Sequence, residues 1–136
     1  MVVTRRAHPL AQARHSSKID WDRYEWILPG DDSPARMAFQ RTLYRQTGKP
    51  PKCTIEANNF VTMLTLLSQT DLLGIAPRQT FRVPWLQQEF VPLDVGFKFP
   101  AQPIGVMWRA RSPLSAAAQL AIKELRQAAA QRARQG

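Results

Sequence analysis

Metal chemistry needs three or four converging His, Cys, Asp or Glu side chains, and acid–base chemistry needs a carboxylate pair or a positioned histidine. The sequence offers little of either. Its two histidines, His8 and His15, lie in "RRAHPLAQARH", which contains no Cys, Asp or Glu. His8 precedes a proline and reads as a turn residue. Cys53 is the single cysteine, so an intrachain disulfide and a cysteine-based zinc cluster are both excluded. It sits in the alternating stretch "KCTIEA" and reads as a small buried apolar residue of a strand rather than a nucleophile. Asp31 and Asp32 in "PGDDSP" are adjacent carboxylates just before a helix start, where short acceptors cap free amides and suit the positive dipole end. Ser33 has no histidine in predictable reach. There is neither a GxSxG nucleophile elbow nor a Gly-rich phosphate loop. The expectation is a protein with no catalytic residues, no metal ligands and no cofactor.

Two polar strand-to-helix joints remain, "PGDDSP" and "ANNF". In open α/β sheets small molecules bind outside the carboxyl ends of the strands, where helix N-termini direct free N–H groups at them. A carboxylate would suit these joints, with Arg36 or Arg78 as counter-charge. The alternative is that the same residues are ordinary caps that touch no ligand.

The elements that would position these joints follow from periodicity and punctuation. "MVVTRR" reads as a strand, "KIDWDRY" as one helical turn capped by Asp20, and "WIL" as a buried strand closed by Pro29, Gly30, Asp31 and Asp32. Ser33 as N-cap and Pro34 at the first helical position open a helix with Met37, Ala38, Phe39, Leu43 and Tyr44 on its apolar side. Gly48 ends it, and Pro50 and Pro51 prevent its resumption. "KCTIEA" is a strand with Cys53 and Ile55 on one side. A helix over 59–69, capped by Asn58 or Asn59, turns Phe60, Met63, Leu64 and Leu67 to the core. "DLLGIAP" is a short buried strand, and "RQTFRVPWLQQ" is helical but interrupted by Pro84. "EFVPLDV" and "PIGVMWRA" are strands around the loop "GFKFPAQP". A helix over 115–134, capped by Ser115, carries Leu120, Ile122 and Leu125 and ends in basic residues that suit its dipole. Strands alternating with helices give an α/β fold with a mixed sheet flanked by helices on both faces.

At 136 residues, 44% of them hydrophobic and 21% charged, the chain suits one soluble domain with a real core. No apolar run approaches the roughly 20 residues that span a bilayer, so no membrane role is expected. The basic N-terminus has no apolar stretch behind it and does not read as a signal peptide, which points to the cytoplasm. The net charge of +9 raises the question of nucleic acid. However, Arg5, Arg6, Arg14, Arg36, Arg41, Arg45, Lys123, Arg126, Arg132 and Arg134 are spread along the whole chain, without the aromatic interleaving that stacks bases.

Four stretches in order, "RRAHPLA", "WILPGDDSPARMAFQRTLYRQTGKPP", "NNFVTMLTLLSQTDLLGIAPRQTF" and "IGVMWRARSPLSAAAQLAIKELRQ", give the chain a resemblance to a known family. It resembles the C-terminal part of the effector-binding domain of LysR-type transcriptional regulators. The likeness implies half of a type 2 periplasmic-binding-protein-like fold. Residues 1–7 would be a hinge-crossing strand and residues 8–90 the second effector-binding subdomain. Residues 91–136 would supply the return strand plus the terminal strand and helix of the first subdomain. Carried over residue by residue, the second-subdomain face of the effector cleft falls on Pro29, Gly30, Asp31, Asp32 and Ser33, with Asn58 and Asn59 near the hinge. The implied ligand is a small-molecule inducer, an organic acid among the classes the family takes. The implied assembly is a homo-oligomer, dimer or tetramer, with the helices over 34–47 and 115–134 as contact candidates. DNA would be read only by the family's N-terminal winged helix-turn-helix, which this sequence lacks. Residues 71–74, "DLLG", stand where the family carries a Gly-rich turn, and Leu and Asp adopt positive φ less readily than Gly. The rival readings are a solute-binding module of a transport system, which shares the fold, and a basic nucleic-acid-binding module.

Overall fold

The computed structural model describes residues 1–12, 19–100 and 105–133. Its contacts divide the chain into two compact units, Met1–Ala101 and Gln102–Gly136.

The first unit is built on a five-stranded mixed sheet in the order β3-β2-β4-β1-β5. Its strands are β1 (Val2–Arg5), β2 (Glu25–Leu28), β3 (Lys52–Glu56), β4 (Leu73–Ile75) and β5 (Phe90–Pro92). β2 runs parallel to both β3 and β4, whereas β1 is antiparallel to β4 and to β5. The parallel triad requires crossovers, and they are α2 (Pro34–Thr47) between β2 and β3 and α3 (Phe60–Gln69) between β3 and β4. Two short helices, α1 (Pro9–Gln12) and α4 (Pro84–Glu89), complete the unit. Because side chains alternate along a strand, each sheet face carries its own core. Val3 and Ile27 pack with Met63, Leu64 and Leu67 of α3 and with Leu86 of α4. Val2, Trp26, Leu28 and Leu73 pack with Phe39 and Leu43 of α2 on the other face. The mixed sheet with helices on both faces is therefore as the sequence pattern indicates.

Gly74 allows α3 to lie close on the sheet, since a Cβ there would stand 2.9 Å from Leu67 Cδ1. The turn over 71–74 is made without a left-handed residue, for among the described residues only Gly48 and Gly96 have positive φ. Gly48 ends α2 at φ 75° and donates its N–H to Tyr44 O, as its place in the sequence predicts.

Several local expectations need correction. Cys53 and Ile55 do not share a face. A register shift between Trp26 and Ile27 pairs Cys53 with Trp26 and Ile55 with Ile27, so they join opposite cores. Of the expected apolar side of α2, Phe39 and Leu43 are buried, but Met37 and Tyr44 are exposed, and Arg36 occupies the buried position nearest the helix start. Phe60, at the first turn of α3, is 39% exposed rather than turned fully to the core. Asp20 precedes a single 3-10 turn, Trp21–Arg23, without capping it, because its carboxylate is engaged by Arg23. Pro84 opens α4 after the 3-10 turn Arg78–Arg82, its fixed φ suiting a first helical position. β5 stops at Pro92, although Leu93 still donates to Val2 O.

The second unit contains α5 (Ala116–Ala133). Ser115 Oγ accepts from the Ala118 N–H, so the expected cap is present. The strand expected in "PIGVMWRA" does not form in its described part, since residues 105–109 have no regular structure and pair with no strand. Residues 103 and 104, and Arg134 at the expected helix end, lie outside the described residues.

Candidate functional site

The two joints singled out in the sequence meet at one edge of the sheet. β2 and β3 are parallel, so their carboxyl ends lie side by side, and the Ala57 N–H donates to Leu28 O at 2.9 Å across them. The Gly30 N–H donates to Asn58 Oδ1 at 2.7 Å. Ser33 N–H closes back on Gly30 O at 2.9 Å, which forms the turn leading into α2. Gly30 has no room for a side chain: a Cβ would sit 3.0 Å from Asp32 Oδ1, 3.1 Å from Asn58 Oδ1 and 3.2 Å from Glu56 Oε1. Of the seven expected residues, six are thus gathered here, namely Pro29, Gly30, Asp31, Asp32, Ser33 and Asn58. Asn59 is adjacent in the chain, but its side chain turns to its own helix and accepts from the Val61 and Thr62 N–H groups.

Arg36 organises this edge in a way the sequence does not announce. Its side chain is 8% exposed and donates from Nη1 to Pro29 O at 2.8 Å and to Glu56 Oε2 at 3.1 Å. Its Nη2 lies 2.5 Å from Asp31 Oδ1. As a free counter-charge for a ligand, Arg36 is already taken. The three carboxylates of Asp31, Asp32 and Glu56 outnumber its single positive charge, which makes the described edge acidic. Glu56 was not singled out in the sequence; its place at the end of β3, beside a basic first turn of α2, is the signal that could have found it. Arg78 is exposed in the turn after β4. Its charge acts on the Met1 ammonium, whose pKa is lowered first by burial and then by Arg78.

The caps of the two helices differ. Asn59 satisfies amides of α3, whereas the Ser33 side chain makes no capping hydrogen bond to α2. The start of α2 offers few free amides, since Pro34 has no N–H and the Met37 N–H donates to Ser33 O, and Asp31 and Asp32 are exposed beside it.

His8 is a structural residue. It is 1% exposed, Nε2 faces Asp71 O at 3.2 Å, and the Leu10 N–H donates to Nδ1 at 3.0 Å. A carbonyl can only accept, so Nε2 carries the proton and Nδ1 is the acceptor. Burial holds its pKa below the usual histidine value, and hydrogen bonding and charge from Asp71 offset part of that. Arg5 is held by Asp71 Oδ1 at 2.7 Å and by Thr70 O at 3.1 Å. Arg6 donates to Gln88 O at 2.8 Å and to Gln87 O, so both arginines brace the backbone. His15 lies outside the described residues. Among the described residues no three His, Cys, Asp or Glu side chains form a group that could hold a metal ion, and no helix is long and apolar enough to cross a membrane.

At the opposite edge of the sheet, an open groove of about 510 Å³ is lined by Trp21, Thr47, Lys49 and Phe97, among others. Its charged groups are already answered, Asp22 by Lys49 and Asp20 by Arg23.

Comparison with known proteins agrees with this architecture. The family described as LysR substrate binding domain matches residues 1–130. No curated protein matches the chain. Among solved structures, HinK, a LysR family transcriptional regulator from Pseudomonas aeruginosa, is similar at a TM-score of 0.61 and 16% identity, over 90% of this chain and 42% of that one. The probable transcriptional regulator PA0477 from Pseudomonas aeruginosa is similar at a TM-score of 0.55 and 22% identity, over 73% of this chain and 33% of that one. At these identities the likeness is one of fold, and the chain spans less than half the length of either protein. The match over nearly all of the sequence, on a mixed α/β sheet of the expected kind, shows that this chain belongs to the LysR substrate binding domain family.

Proposed function

We propose that this chain is the effector-sensing and assembly portion of a LysR-type transcriptional regulator, and that residues 29–33 and 58–59 form one wall of its small-molecule site. The observation that carries this reading is the meeting of two polar strand-to-helix joints at the carboxyl ends of parallel β2 and β3. That is where ligands bind in open α/β sheets. Binding needs no covalent step: an effector that favours one arrangement of the regulator shifts its population by its differential affinity.

In this reading residues 1–7 cross a hinge, residues 8–90 form the second subdomain, and residues 91–136 return to the first. The antiparallel neighbours β1 and β5 suit a pair of strands entering and leaving one lobe. DNA is contacted by another part of the regulator, the assembly is a homo-dimer or tetramer, and the compartment is the cytoplasm, where such a regulator meets DNA. An organic acid is the effector class to screen first. Because Arg36 is occupied and the strand ends are acidic, the carboxylate of such a ligand would have only the first-turn amides of α2 to meet it. Neutral hydroxylated compounds form the second arm of the screen.

The test is a library of small organic acids and polyols added to the 15N-labelled chain, followed through amide chemical shifts. Saturable shifts centred on residues 30–33 and 58–59 are expected from at least one class. Saturable shifts confined to other residues, or none across both classes, would overturn the assignment of the site.

A further inference from the structure

We propose that Arg36 is the positioning residue of this site, a clamp that makes the loops after β2 and after β3 behave as one body. The inference rests on the reading of the strand ends as the effector wall, and it goes further by saying what holds that wall in register.

A guanidinium in the first turn of α2 is electrostatically out of place, since the helix dipole is positive there. Burial adds a desolvation cost that a paired charge must offset. Surface arginines on such a turn reach into water, yet this one is folded back against the sheet with its side chain 8% exposed. Its Nε has no hydrogen-bond partner among the described residues. What the planar fork gains is three acceptors on two separate segments. Pro29 O and the Asp31 carboxylate belong to the loop after β2, and the Glu56 carboxylate ends β3. Five donors in a rigid plane bridge such a set in a fixed geometry, which the compact, rotatable ammonium of a lysine does not impose. The Gly30 to Asn58 hydrogen bond is a second tie between the same two segments. Its geometry depends on the backbone of residues 29–31, which Arg36 pins from both sides. A ligand held by either loop therefore meets a wall whose other half is already set.

Amide hydrogen exchange of the whole chain, without any ligand, tests this. Asp31→Asn and Glu56→Gln each weaken one arm of the clamp at an exposed carboxylate while leaving the fold intact. The expected result is reciprocal. Glu56→Gln on β3 accelerates exchange of the Gly30 amide about threefold, and Asp31→Asn on the other loop accelerates that of Ala57 to a similar extent. Arg36→Met accelerates both about tenfold, and Arg36→Lys restores neither fully. Asp32→Asn, which does not touch Arg36, leaves Ala57 unchanged. Throughout, the central amides of β2 and β4 keep their exchange rates. Acceleration confined to the loop that carries the substitution would overturn the proposal. So would uniform acceleration across the sheet together with a lower Tm, since Arg36 would then only hold the fold. If Arg36→Met fails to fold, the two carboxylate variants still decide the matter. The effector reading stands or falls separately on the chemical-shift screen, because exchange coupling between the loops requires no ligand.

Discussion

His8 shows how a residue type can mislead while its neighbours inform. A histidine beside two arginines invites metal, catalytic or nucleic-acid readings, but its ring is buried and both nitrogens are used, one on Asp71 O and one on the Leu10 N–H. Protonating Nδ1 would set a donor against the Leu10 N–H in a site with little water. Burial above all holds the folded-state histidine pKa below its unfolded value of about 6.5. The unfolded chain then binds the proton more readily, so the contribution of His8 to stability is fully present above about pH 6.5 and is lost as pH falls through the lowered folded value. Urea unfolding between pH 5 and 8 should show this loss. In His8→Phe it should shrink, with a stability lower by about 1–3 kcal/mol at pH 7.5, because two part-buried polar groups lose their partners. An unchanged pH profile in that variant would place the titration elsewhere. The sequence hinted at the turn through Pro9. It could not show the burial, which depends on Asp71 more than sixty residues away.

At the scale of elements, most of the order of helices and strands was legible because punctuation and period agreed. Pro34 and Gly48 bound α2, and Asn59 opens α3. What the sequence hid were facts of pairing. The register shift that splits Cys53 from Ile55 depends on how β2 meets β3, and "PIGVMWRA" has strand-like composition but no partner strand among the described residues. The convergence of the two polar joints was legible to the same degree. Residues 29–33 and 58 could be named from loop position alone, whereas the hold of Arg36 on Glu56 is a tertiary contact that no local pattern encodes. The two caps offer a direct check of how far a cap residue in sequence implies a cap in space. Asn59→Ala removes an acceptor that serves two amides and should lower stability by about 1 kcal/mol. Ser33→Ala removes a side chain that caps nothing and should change stability by less than about 0.5 kcal/mol, as surface substitutions generally do. Chemical denaturation of the two variants side by side checks the contrast, and equal losses would mean that Ser33 caps α2 in solution.

For the whole molecule, the two units differ in how they bury apolar surface. Both core clusters belong to the first unit. Val106, Met107, Trp108, Leu120 and Leu125 are all exposed, Met107 at 96%. Exposed apolar side chains promote association, and closed dimers are the commonest outcome in soluble oligomers. Opposing it is the net charge of +9, since like-charged chains repel and salt screens that repulsion. The two forces predict a specific salt dependence. Sedimentation equilibrium of this chain should give an average mass above 15.5 kDa that rises between 50 and 500 mM sodium chloride, because screening removes the repulsion and leaves the apolar attraction. Association driven by bound nucleic acid would weaken over the same range, since counterion release makes such binding fall with salt. The variant Met107→Ser, Trp108→Ser, Leu120→Ser should sediment as a monomer at both salt concentrations without loss of the core that residues 1–101 build. A parent chain that is monomeric throughout would show that these residues are covered by the chain itself, and the segment would then lose its claim to be an assembly surface.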